Sequence, residues 1–263
     1  MIKFEPYPIY INYSKHWQLR LKSEIVEMNR ANRFDDEKQL TIKAVTSSDL
    51  TLANGLWKDE VKQYETTISQ LLRQIASNAL GKVLLKILNL KTKIWIVPMP
   101  DQEFKGCYCA QTYPLNYQTK PFEGYAIGSG DAYIYYNPDN VFTDDILFHE
   151  LVHAYRYSFK KFDRMPIDNE YNGEEFLAHH LQNVYLSLLK KELYFAYKGE
   201  EKADKARIYQ HLNKAPAQLK AVEYFSTHEY LAMLAANSLA ANVADYNPFR
   251  DYQQIRGLNA KTP

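Results

Sequence analysis

The stretch from Asp144 to Phe159, DDILFHELVHAYRYSF, constrains this chain more than any other part of it. It is long enough for four helical turns and apolar on nearly every face, which predicts a helix buried at the centre of a domain. Thr143 occupies the N-cap position, and Asp144 and Asp145 follow in the first turn, where carboxylates suit the positive end of the helix dipole. The same helix carries His149, Glu150 and His153. Burying three such groups without a shared partner is costly, so the pattern calls for something that engages them together.

Residues four apart project from one face of a helix one turn apart, so His149 and His153 can reach a single metal ion with Glu150 beside them. This is the HExxH pattern of the zincins, in which Zn2+ activates water and the glutamate serves as general base and proton shuttle. A catalytic zinc takes three protein ligands, so a third must come from elsewhere. Glu174 and Glu175 lie 21 and 22 residues past His153, on the first turn of a helix opened by Asn172-Gly173, which is the gluzincin arrangement. Glu175 is preferred, because its face continues through His179 and Gln182, which can hydrogen-bond to the ligands, whereas Glu174 shares its side with Leu177 and Leu181. Glu229 ranks third. It opens Glu229-Tyr230-Leu231-Ala232 with Asn237, an echo of Glu175-Phe176-Leu177-Ala178 with Asn183.

The remaining sequence predicts an α+β fold, mostly helical and zincin-like, with a small β-sheet. Residues 1–60 hold no strong period and are read as an N-terminal extension packed on the core; residues 61–263 form the metallopeptidase domain. Val61, Tyr64, Ile68, Leu71, Leu72 and Ile75 follow helical spacing from about Trp57 to Leu80, with an interruption expected at Gly81 and a short buried helix after it. Ile94 to Val97 reads as a strand, residues 101–130 as a long polar and aromatic loop, and residues 132–138 as a second strand. Further helices are expected near 202–213, 216–226 and 228–242, before a polar tail.

Composition narrows the function. Lysine and arginine total 32 against 31 acids, a net charge of +1, so no large field attracts nucleic acid or an anionic membrane surface. The chain has no 18-residue apolar run, no cleaved export signal is expected from its opening residues, and Cys107 and Cys109 are too close for an unstrained disulfide. A cytoplasmic fold is therefore expected. The 22 tyrosines are read mainly as packing residues that keep a hydroxyl for hydrogen bonding. Tyr133, Tyr135 and Tyr155 are the candidates for substrate contact, the first two on a strand read as an edge that an extended peptide can pair with. Candidates for an oxyanion donor are Tyr155, Arg156, Tyr171, His179 and His228.

Three segments together, GSGDAYIYYNP, LFHELVHAYRY and NGEEFLAHHLQNVYLS, resemble the NleD-like family of bacterial effector zinc metallopeptidases. The resemblance spans about residues 75–190, with a weaker echo at YNPFRDY near the end. It implies zinc on His149, His153 and the glutamate before Phe176, which is Glu175, with Glu150 as the base. It also implies a protease, of a family some of whose members are injected into host cells, so that the expected partner is a protein substrate of a host or target cell and the expected route a dedicated secretion system; the chain itself is expected to be a monomer. Two other readings stay open: a silent binding module stapled by zinc, and a toxin that hydrolyses a non-peptide bond with the same metal.

Overall fold

A computed structural model describes residues 2–11, 58–88, 93–97, 111–114, 132–136, 143–159, 161, 165–196, 201–237 and 243–258. Cys107, Cys109 and most of the 101–130 segment lie outside them. Five strands form one sheet: β1 (Ile2–Phe4), β2 (Ile9–Ile11), β3 (Ile94–Val97), β4 (Gln111–Pro114) and β5 (Ala132–Tyr135), in the order β1-β2-β3-β5-β4. The β2–β3 and β3–β5 pairs are parallel, and the two outer pairs are antiparallel. Strand β4 falls within the segment read as loop, and β1 and β2 bring the start of the chain into the same sheet as β3.

Side-chain alternation gives the sheet one covered face. Ile9, Ile11, Ile94, Ile96, Ala132, Ile134 and Tyr136 are all fully buried on it. On the opposite face Tyr10 stacks on Trp95 across the β2–β3 pair, with ring centres 4.8 Å apart.

The covered face rests on helices α1 (Lys58–Ser77), α2 (Ala79–Leu88) and α3 (Asp144–Ser158). Helix α3 touches α1, α2, β4 and β5 as well as α4 (Gly173–Leu188), so it lies at the centre of the fold, as its all-round apolarity predicts. The break between α1 and α2 falls at Asn78 rather than Gly81. Asn78 Oδ1 accepts from the backbone N–H groups of Leu80 and Gly81 and so caps α2. Gly81 lies inside α2, where a β-carbon would come within 2.1 Å of the Ile75 carbonyl oxygen, so the missing side chain is what lets the two helices meet.

After a small hairpin of β6 (Leu193–Tyr194) and β7 (Lys202–Ala203) come α5 (Lys205–Lys214), α6 (Pro216–His228), α7 (Tyr230–Asn237) and α8 (Tyr252–Arg256). The expected polar tail is instead packed inward between residues 244 and 255. Tyr246 and Asn247 are completely buried; Asn247 Nδ2 donates to the Ala235 carbonyl, and Tyr246 N donates to Ser187 Oγ. Tyrosine hydroxyls join these layers. Tyr64 donates to the Tyr136 carbonyl, Tyr136 to the Thr143 carbonyl, Tyr185 to Asp144 and Tyr209 to Asp251. Much of the tyrosine content thus crosses between elements, ring in the core and hydroxyl on a partner.

Candidate metal centre

Two helices supply the site. The α3 dipole and its first-turn acids lead into His149, Glu150 and His153, all nine-tenths or more buried. Helix α4 starts at an N-cap, Asn172, whose Oδ1 accepts from the backbone N–H groups of Glu174 and Glu175 at 3.0 Å each. This leaves Glu175 three residues into the helix. A glutamate there ordinarily folds back to bond the cap residue. Here it reaches across to α3.

The Nε2 atoms of His149 and His153 lie 3.0 Å apart, and Glu175 Oε2 is 3.3 Å from the first and 3.4 Å from the second. The mean of those three edges divided by the square root of three gives a circumradius of about 1.9 Å, so a point ~2.0–2.1 Å from all three atoms lies just out of their plane. That is the usual zinc–ligand distance, so the three atoms would suit three corners of a tetrahedral site. Two imidazole nitrogens and one carboxylate oxygen also match the donor set of a catalytic zinc site, so the residues fit the ion.

The orientation of His149 is fixed from behind. Gln182 Nε2 donates to Asp145 Oδ2 at 2.8 Å, which turns the amide oxygen toward His149, where it lies 3.1 Å from Nδ1. An acceptor at that place puts the ring proton on Nδ1 and leaves the Nε2 lone pair facing the triangle. Asp145 also accepts from the Thr143 hydroxyl. Thr143 therefore occupies the predicted cap position without capping any backbone N–H.

Glu174 points elsewhere. Its Oε1 accepts two N–H groups of Arg156, from Nε at 3.0 Å and Nη2 at 2.7 Å, and its Oε2 stands 3.8 Å from His153 Nδ1. Glu229, the third-ranked ligand candidate, accepts from Arg156 Nη1 and from the Tyr155 hydroxyl, each at 2.5 Å. The Tyr155 ring, read as a candidate substrate contact, is in the core, and its hydroxyl donates to Glu229. The side chains of Tyr133 and Tyr135 lie outside the described residues. Their strand, β5, is hydrogen-bonded on both sides, so it is not an edge; among the described strands the sheet ends on that side at β4.

The other candidate donors are also placed. Arg156 is held by the two glutamates, and His179 Nε2 accepts from Asn183 Nδ2 at 3.1 Å. The Tyr171 ring packs on Phe176, His179 and His180, and exposed His228 stacks on Tyr224. The Glu174–Arg156–Glu229 cluster had not been anticipated. Its one sequence signal was a guanidinium inside an otherwise apolar helix, which needs acidic partners from other elements.

Burial penalises charge throughout this region, and the local partners decide the outcome. For His153 burial acts downward, but the carboxylates of Glu174 and Glu175 prevail and push it up to about 10. Burial acts upward on Glu175, yet the two histidines hold its carboxyl well below the usual range. For His179 burial, helped by the nearby His149, outweighs the Tyr194 carbonyl and Glu175 and lowers it to about 3. Buried or half-buried carboxylates at Asp145, Glu150, Glu174, Glu175 and Glu229 outnumber the nearby cations Arg156, Lys161 and protonated His153.

No protein-family model matches the chain, and no curated protein or solved structure matches it either.

Proposed function

We propose that this chain is a zinc-dependent endopeptidase of zincin-like fold. The observation that carries the reading is the triangle of His149 Nε2, His153 Nε2 and Glu175 Oε2, sized for one tetrahedral ion, with Glu150 as the neighbour of His149 on the same helix. A zinc ion held there supplies Lewis acidity that polarises a carbonyl and makes water nucleophilic near neutral pH. Glu150 accepts the proton that the attacking water loses and returns it to the leaving amine. The cap on Asn172 holds Glu175 in place, and Gln182 keeps the His149 ring aimed. Among the described residues β4 pairs with β5 alone, and its other side offers backbone groups to which an extended peptide can add as a further strand. On the resemblance of its three motif segments, the substrate is a protein of a host or target cell, reached through a dedicated secretion route.

Incubating the purified chain with candidate target proteins and sequencing new N-termini tests this directly. Glu150→Gln is expected to keep one zinc per chain while cleavage falls by about 10²–10⁴-fold. Cleavage that survives this change removes Glu150 as the base. Hydrolysis of some other bond with no new N-terminus removes the peptidase reading and leaves the metal site standing.

A further inference from the structure

Behind the donor triangle lies a second buried cluster, built from Glu174, Arg156, Glu229 and Tyr155. Arg156 and Glu174 are 5% and 1% exposed, and Glu229, at the C-cap of α6, is 1% exposed. Clusters of this kind add little to stability, because apolar residues of the same volume often do as well or better. What they do well is aim hydrogen-bonding groups. Resting on the metal reading above, we propose that Glu174 selects the tautomer of His153 that can bind a metal, with Arg156 and Glu229 as the positioning residues that hold it.

The argument follows from donors and acceptors. A guanidinium only donates, and Arg156 gives two N–H groups to the same oxygen, Glu174 Oε1. That fixes the carboxylate plane and leaves Oε2 turned toward His153 Nδ1 at 3.8 Å. At this length the pair is a charge contact rather than a short hydrogen bond, but it already places an acceptor in front of Nδ1. When a metal takes the place of the Nε2 proton, the proton that remains on the ring belongs on Nδ1, and the Nε2 lone pair faces His149 and Glu175. Gln182 performs the same service for His149 from the opposite side, so each imidazole has its own orienting acceptor. Glu229 completes the device by taking the third Arg156 donor, Nη1, from the α6–α7 junction, which ties the C-terminal helices to the ligand geometry.

Glu174→Gln inverts the signal at nearly constant volume. Arg156 still claims the one oxygen of the new amide, so the NH2 group faces His153 Nδ1. A donor there moves the ring proton to Nε2, where the metal binds. The expected result is a zinc dissociation constant raised about 10–100-fold, an altered visible spectrum of the cobalt-substituted protein, and a changed His153 ring-nitrogen signature in nitrogen-15 NMR of the zinc-loaded chain. Glu229→Gln leaves the Glu174 acceptor in place and is expected to cost less than tenfold, with the tautomer unchanged. Arg156→Lys, which loses the fork and keeps the charge, gives the same readouts if Glu174→Gln does not fold. Folded variants that bind zinc within threefold of the parent, with the parent tautomer, overturn the proposal while the metal reading stands. A parent chain that binds no zinc overturns the metal reading itself.

Discussion

Gln182 Oε1 stands 3.1 Å from His149 Nδ1 because the other end of its amide is fixed on Asp145. Leucine at position 182 keeps the volume and removes the acceptor. Zinc affinity of Gln182→Leu, measured by competition with a chromogenic chelator, is expected to fall about 10–100-fold. An unchanged affinity would mean that the ring is aimed by packing alone.

The Tyr155 hydroxyl donates to Glu229 in the core, so its expected role is in the fold. Tyr155→Phe removes the hydrogen bond to Glu229 and is expected to cost about 1–2 kcal/mol in denaturant unfolding. Its KM for any cleaved protein should match the parent. A raised KM with unchanged stability would restore Tyr155 to the substrate surface.

Asp168 organises the connection between α3 and α4. Its Oδ1 accepts from the backbone N–H groups of Glu170 and Tyr171, and its Oδ2 accepts from Gln218 Nε2 at 2.8 Å. Burial alone would raise this carboxyl, but those donors hold it below the usual aspartate range. A group depressed in the folded state stabilises it above its unfolded pKa, near 3.9, and loses that contribution as pH falls through the lower folded value. The stability gap between the zinc-free parent and Asp168→Asn should therefore narrow as pH drops from about 5 toward 2. A gap that widens toward acid would contradict the depressed carboxyl.

At position 81 two effects oppose each other. Alanine is the better helix former by about 1 kcal/mol. Its β-carbon, however, would meet the Ile75 carbonyl oxygen at 2.1 Å, and a backbone atom cannot swing aside. Gly81→Ala is expected to lower stability by about 1–3 kcal/mol, with a matching drop in Tm. A rise in Tm would show that the α1–α2 corner relaxes freely.

The parts of this structure that read directly from sequence are those whose signal is local. His149 and His153 announce themselves by spacing on a helix that is apolar all round, and Asn172-Gly173 marks the start of α4 two residues before Glu175. Elements defined by distant pairing were harder to see. Each of β1 and β2 is three residues long, too short for an alternation to register, and β2 becomes a strand by pairing with Ile94–Ile96 far along the chain. Strand β4 ends in Pro114 and sits among aromatic and polar residues, so its composition resembled a loop. Which strand lay at the edge depended on that missed pairing. The Glu174–Arg156–Glu229 cluster joins positions 73 residues apart, and only the packing of α6 and α7 onto α4 brings them together.

Asp145, His149, His153, Glu175 and Gln182 fall within one short stretch of a 263-residue chain, on two consecutive helices. The sheet, by contrast, must close a loop of some eighty residues before β2 meets β3. Loop-closure entropy grows with the logarithm of length, and low contact order favours rapid formation. The α3–α4 hairpin is therefore the first piece that the proposed metal would cross-link during folding. If it binds there, withholding it is expected to slow the collapse of the whole chain as well as any activity.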